Sequence, residues 1–591
     1  MNKKIISLLL LLVMVVEMLP GIDLNVSAAG MIRRAPGSEL MKLNVSEEGT
    51  IRRVPDSEPI GLSIRVGSWD GIRYRMINDN GRRTAEVIGF DDEVKEKVIL
   101  PEGVRDENGE TYWVKSIGKY AFCECEKLIE IVLPDCLMSI EEGAFYHCIY
   151  LGRVKNFSNR LINIGKCAFG GCYVLDGVKL PDGLDVIGEC AFDGCDSLSS
   201  ITIPASVEII GKYAFRGCTC LDGIIVDDSN TNYSSEGGVL FDKNKTVLKQ
   251  YPGSYFATNI ERTKYVVPET VKYIEDYAFS YCSKLFSVII PEGVEDIGSY
   301  AFTGCCRLES IEIPSSVKHI GKYTFAECKS LNSVTIPDGI TSIKDGTFFD
   351  ANLKSIIIPN SVTNIEANAF YECYKLEEIV VSAENRNYKS EDGNLLSKDG
   401  TELIKVSARN LHDSYEIPRT VKVIKERAIE GALEPLSVVI PEGITNIETN
   451  AFFKCRKLAT ITIPASVTSI GTNALYDCGE LKKIIVNAEN PNYKSEDGVL
   501  FNKTGTNLIL YPAKREADSY KVAEGVKVIE ENAFMNCSNL LSVEIQKSVT
   551  TIGENAFNGC YKLVSVIIPS SANVGKNAFC NCRDLREKII V

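Results

Sequence analysis

The motif I-x-x-x-A-F recurs sixteen times along this chain, exactly or in near copies such as SIGKYAF, HIGKYTF, NIEANAF and SIGTNAL, and no other feature restricts the fold so tightly. Successive motif phenylalanines, Phe192 and Phe215 or Phe279, Phe302 and Phe325, stand 23 residues apart. The unit between them reads roughly L-x-S-I-x-I-P-x-x-V-x-x-I-G-x-x-A-F-x-x-C. Alternation in Leu198-Ser199-Ser200-Ile201-Thr202-Ile203 predicts a strand with one face inward, and Pro204 stops its pairing. A second extended piece, Val207 to Ile210, leads into a turn or helical turn at Ala214-Phe215. So small a unit cannot bury its own apolar residues, so neighbours must stack with those side chains in register. The predicted fold is mostly β with short helical turns: a solenoid with a parallel sheet and about 23 residues per repeat. At 591 residues the length alone would suggest several domains, but copying of one unit overrides that prior.

Three steps break the period. Phe215 to Phe279 is 64 residues, and Phe370 to Ile429 and Leu475 to Phe534 are each 59. The extra segments, about 227–265, 382–417 and 487–522, resemble one another: Asn232-Tyr233 with Gly238-Val239-Leu240-Phe241, Asn387-Tyr388 with Asp392-Gly393, and Asn492-Tyr493 with Asp497-Gly498. Apolar runs around Asp242 to Lys245 and Asn502 to Gly505 predict β-hairpins, expected to project from one edge.

Ahead of the repeats, residues 1–29 carry Lys3, Lys4, an apolar run from Ile5 to Val16 and the small residues Val26-Ser27-Ala28-Ala29, the pattern of a secretory signal peptide cleaved near Ala28 or Ala29. The run is short for a membrane span, and no later segment is apolar enough for one. Residues 30–65 read as a flexible linker, in which Asn25–Leu43 is echoed by Asn44–Leu62. Residues 66–115 do not repeat and are expected to form an N-terminal cap, leaving 116–591 for the solenoid.

These repeats, the insertions in the style of ENPNYKSEDGVLFNKTGTNLILYP and the opening TYWVKSIGKYAF resemble the BspA-like (Treponema pallidum type) leucine-rich repeat family, from about Tyr74 onward. The resemblance implies a bacterial secreted or surface protein, in a family linked with adhesion to matrix, host cells or other bacteria. It implies no shared ligand. Departures are Asp350-Ala351 where the repeat has cysteine, an imperfect copy at Val423–Leu436, and no recognisable wall anchor. The chain stops in an apolar strand at Lys588–Val591, which leaves open truncation, closure of the stack or pairing with a second copy.

Fourteen of the 21 cysteines occupy the position after A-F-x-x. Parallel stacking aims their Cβ vectors the same way, which is poor disulfide geometry, so a ladder of small buried thiols is expected. Cys167 and Cys190 precede the motif Ala in consecutive units, and either stacked thiols or a disulfide would fit there. Cys123-Glu124-Cys125, Cys218-Thr219-Cys220 and Cys580-Asn581-Cys582 each contain a ladder cysteine, and without clustered histidine they make no zinc site. The three histidines, His147, His319 and His412, are scattered, and no nucleophile elbow, zincin motif or phosphate loop is present. No catalytic residue, metal ligand or cofactor is assigned, and the chain is not expected to be an enzyme.

The net charge of −14, with Lys and Arg dispersed, argues against nucleic acid as partner. The candidate ligand-contact face is the outward side of the main sheet, at Thr202, Ile225, Ile289, Glu312, Thr335, Ile357, Thr462, Ile485, Glu544 and Ile567. Five isoleucines facing water there suit contact with a host or bacterial surface protein, a matrix protein or a glycan, although β-branched residues also simply favour strands. Tyr233, Tyr388 and Tyr493 form a second candidate, against which stands packing of the insertion onto the solenoid. The expected function is adhesion or another protein interaction at the cell surface. A structural spacer and, more weakly, a secreted hydrolase are the alternatives.

Overall fold

The computed structural model describes residues 62–91, 94–254, 264–411, 413–431 and 436–591, with the backbone of four short strands before them. Most of the expected signal peptide and of the expected linker lie outside the described residues, as does His412. Each copy of the 19-residue duplication contributes one short antiparallel pair, Leu24–Val26 with Ile32–Arg34 and Leu43–Val45 with Ile51–Arg53.

The described chain divides into two compact units. In the first, strands Leu62–Trp69, Ile72–Asp79 and Arg82–Phe90 form an antiparallel meander, and Gly103–Arg105 pairs with the start of Thr111–Ile117. Tyr74, Ala85, Val87 and Tyr112 are its buried centre. Its first strand begins ahead of the expected Val66 boundary, and residues 92–102 leave it for the second unit. The reason is in the sequence: KVILPEGV carries the strand and P-x-x-V half of a repeat, and Lys97–Ile99 pairs in parallel with Glu130–Val132.

The second unit is the solenoid. In most repeats the S-I-x-I segment joins a parallel main sheet built in short sections, as Ser287–Ile289 does with Ser310–Glu312, and the motif Ile joins a second ladder two residues wide, as Asp296-Ile297 does with His319-Ile320. The A-F segment closes the coil by overlapping turns rather than a helix. Ala121 donates its N–H to Gly118 and Cys125 to Phe122, while Phe122 donates to Ala144 of the next repeat. Two left-handed residues per repeat keep the turns from propagating as helix. One precedes the motif Ala or Thr in fifteen of sixteen copies and one precedes the ladder position in all sixteen, Tyr300 (φ 58°) and Gly304 (φ 69°) for example. The Gly after the motif Ile is not left-handed. At Gly211 space requires it, since a Cβ there would stand 2.3 Å from the backbone nitrogen of Glu189, whereas other copies hold Glu or Lys at this position.

Between insertions, stacking in register gives continuous internal columns. Motif phenylalanines stack face to face, from Phe122–Phe145 at 5.3 Å to Phe557–Phe579 at 5.1 Å between centroids. Beside them runs the thiol column: Cys148, Cys172, Cys305 and Cys478 each donate S–H to the carbonyl of the motif Phe in the preceding repeat, at 2.8–3.3 Å. Ala351 fills the same column where cysteine is missing, and Cys373 then bonds the Phe348 carbonyl at 2.8 Å. In the imperfect copy Ile429 replaces Phe, and the buried Glu430 is paired with Lys405 at 3.2 Å.

The insertions do not project; they are built into the wall. Tyr233–Glu236 and Val239–Asp242 form a hairpin, a third strand Val247–Gln250 pairs back through a bulge, and that strand becomes the first of the next second ladder, Val247 opposite Tyr273. The other two insertions repeat this arrangement, down to the bulge. Their shared N-x-N-Y-x-S-E-x-G sequence terminates both interrupted sheets. In the first insertion Asn230 is fully buried and its Nδ2 donates to the carbonyls of Pro204 and Val207, while its Oδ1 accepts from the amides of Asn232 and Tyr233. The Tyr233 hydroxyl accepts from the Ile210 amide at 2.8 Å, closing the second ladder. Ser235 Oγ and the Gly238 carbonyl accept from the amides of Val226 and Ile224, closing the main sheet. Edge amides that would otherwise face water or another chain are thereby satisfied within the fold.

Candidate ligand-binding surfaces

Most main-sheet strands in this solenoid alternate, so the residue between two buried positions faces out; Leu458–Ile463 departs from this through a register irregularity. Ser200–Ile203 follows exposed, buried, exposed, buried, and Ser355–Ile358 and Lys483–Val486 keep that alternation. All ten positions expected on the outward face are there. Thr202, Ile225, Glu312, Thr335, Ile357, Thr462 and Ile485 are exposed, and Ile289, Glu544 and Ile567 are half-buried. The register sets Ile289 beside Val266 and Glu312, Ile357 beside Thr335 and Val380, and Ile485 beside Thr462. Val266 at 58% and Val380 at 39% exposure are members of this face that the sequence reading passed over. The face is thus a band of mostly β-branched side chains, broken at each insertion and also between Ser310–Glu312 and Ser333–Thr335.

Tyr233, Tyr388 and Tyr493 are half-buried, and their hydroxyls are used inside the protein, on the amides of Ile210, Ile365 and Ile470. Packing is their role. Cys167 and Cys190 are unbridged and half-buried, with Cys190 pushed up to about 12 by burial and by Asp193. His147 packs against Tyr146 at a left-handed turn position, and His319 is exposed on the second ladder. Among the described residues no cluster of three or more His, Cys, Asp or Glu is placed to hold a metal ion, and no helix is long and apolar enough to cross a membrane.

A different feature was not anticipated. Aromatic rings, half-buried except for the buried Phe453, run along the turn side of the coil. Tyr213, Tyr277, Tyr300 and Tyr323 follow one another at 4.7, 4.6 and 5.0 Å, and the row continues through Phe349, Tyr371, Phe453 and Tyr476 at 5.0–6.1 Å. Two turn positions supply it, one before the motif Ala or Thr and one after the motif Phe. The tyrosines were visible as KYAF, DYAF, SYAF and KYTF, but placing them in one row needs the left-handed turn geometry. Burial and Asp276 push the Tyr213 phenol up to about 12, and burial and Glu372 do the same to Tyr371.

Comparison with known proteins follows the repeat. Residues 114–239, 250–377, 408–513 and 511–590 match the family model described as BspA type leucine rich repeat region. The chain belongs to this family. No curated protein matches the sequence. Solved structures similar to this BspA-type chain include a leucine-rich repeat protein from Bacteroides ovatus, 23% identical over 89% of this chain and 99% of that one with a TM-score of 0.37. The pneumococcal vaccine antigen PcpA is 22% identical over 56% of this chain and 95% of that one, TM-score 0.43. A leucine rich cell surface protein from Faecalibacterium prausnitzii is 22% identical over 89% and 94%, TM-score 0.34.

Proposed function

We propose that this BspA-type chain is a secreted or cell-surface adhesion protein that binds a surface protein, matrix protein or glycan through the outward face of its main sheet, without catalysis. The observation that carries the reading is the exposure of β-branched side chains at positions folding does not require to be apolar: Ile225 at 56%, Val266 at 58% and Ile357 at 49%. Thr202, Thr335 and Thr462 add hydroxyls in the same rows, and such mixed surfaces suit macromolecular contact. The N-terminal Lys-Lys, apolar and small-residue pattern supports export.

The test is binding of the mature chain to arrays of matrix proteins, bacterial surface proteins and glycans, beside a variant carrying Ile357→Lys and Val380→Lys. Saturable binding to one class, lost in a variant that still unfolds at the same denaturant concentration, is the expected result. Absence of binding to every class would favour a spacer role.

A further inference from the structure

Beside Tyr277, Tyr300 and Tyr323 the row of rings on the turn side opens into a groove of about 530 Å³. Sequence explains the opening. The left-handed position before the ladder cysteine is glycine in consecutive repeats, Gly194 and Gly217, and is then filled by Tyr281 in the next turn. Glycine leaves a floor without side chains. Tyr281, 43% exposed, lies over Gly304 so closely that a Cβ there would stand 2.5 Å from its ring. Tyr300 and Tyr323 line the groove beside it.

Its polar rim is acidic. Asp193, Asp196 and Glu327 line the groove with a single cation, Arg216, which is committed to Asp193 through two hydrogen bonds, one of 2.7 Å. Among the described residues no cation pairs with Asp196 or Glu327, and none stands over Tyr281, Tyr300 or Tyr323. The chain seats its own cations on this row, once within the groove itself and once farther along. The Arg216 guanidinium is 4.9 Å from the Tyr277 ring centre, and Arg427 lies between Tyr371 and Phe453 at 4.0 and 4.6 Å. Aromatic rings next to uncompensated carboxylates attract cations, guanidinium above all.

We propose that this groove receives an arginine or lysine side chain from an extended basic segment of a partner polypeptide, held beside Tyr281 by Glu327. The site is on a different side of the coil from the main-sheet face and does not depend on it. A partner with repeated basic residues would also be drawn by the net charge of −14, so the test must separate local recognition from diffuse attraction.

Fluorescence anisotropy with the whole chain at 0.15 M salt does so, using a labelled peptide of alternating Gly and Arg and its Gly-Ser counterpart. Tyr281→Asn changes no charge and places at this position a residue that other repeats already hold there, Asn536 and Asn581. Tyr120→Asn removes an exposed tyrosine far along the row of repeats and serves as control. The expected result is saturable binding of the arginine peptide only, weakened at least tenfold by Tyr281→Asn and by Glu327→Gln and less than twofold by Tyr120→Asn. Equal weakening by both tyrosine variants, or none with Tyr281→Asn, overturns the proposal. So would neutral oligosaccharide binding that Tyr281→Asn abolishes while the arginine peptide fails to bind.

Discussion

Asn230, Asn385 and Asn490 show how much one side chain can hold in a repeat protein. Each is fully buried, and each donates twice to carbonyls of the preceding turn and accepts twice from its own. Asn490→Ala leaves the Val467 carbonyl and the amides of Asn492 and Tyr493 without their partner and the Pro464 carbonyl with only the long bond from the Val467 amide, a loss of roughly 2–4 kcal/mol from several unsatisfied groups. Urea unfolding should show an earlier transition, whereas the exposed neighbour Asn492→Ala should change it little. The thiol column was legible beforehand because its residues recur at one fixed position. The asparagines were not: their partners lie 23 and 26 residues back, across a turn whose path the sequence does not state. Nor were the left-handed tyrosines, because residues other than Gly and Asn seldom occupy that conformation and nothing local announces it.

At the scale of the element, the insertions carry the main revision. Apolar runs around a polar turn identify a hairpin well, so its existence was readable. Its placement was not, because the register of its third strand against the next repeat is fixed by contacts distant in sequence, Glu402 opposite Val423 and Asn507 opposite Val528. The terminating role can be probed one bond at a time. Tyr493→Phe keeps the ring and removes the acceptor of the Ile470 amide at 2.9 Å. A loss of about 1 kcal/mol is expected, with faster hydrogen exchange at Ile470 and unchanged exchange at Ile447 one repeat earlier. Most outward positions of the main sheet were legible, since alternation by two needs no tertiary information, although Val266 and Val380 were passed over.

For the whole molecule the repeated thiols make alkaline pH a collective stress. Burial pushes Cys172 and Cys373 up to about 12 and Cys195, Cys305 and Cys478 well above their usual range. An unfolded thiol ionises near about 8.5. The folded state therefore binds more protons than the unfolded state above that pH, so this stabilisation is complete below about pH 8.5 and is lost as pH rises through the folded values. Each group contributes at most about 1.4 kcal/mol per pH unit in that window. Thermal unfolding between pH 7.5 and 10.5 should show the decline, and a Cys195→Ala, Cys305→Ala variant, though less stable at neutral pH, should decline less steeply.

The middle strands of the insertions carry a mechanical meaning. Leu395 faces the apolar core that precedes it and Leu396 the core that follows; in the third insertion Leu500 faces back while Val499 and Phe501 face forward. Each such strand is a bulkhead between two sealed compartments. Pulled from its ends, the solenoid would then give way one compartment at a time, each failing within its own walls while the neighbours keep bearing load. A sudden force on such a chain would be taken up in steps, each leaving the other compartments folded.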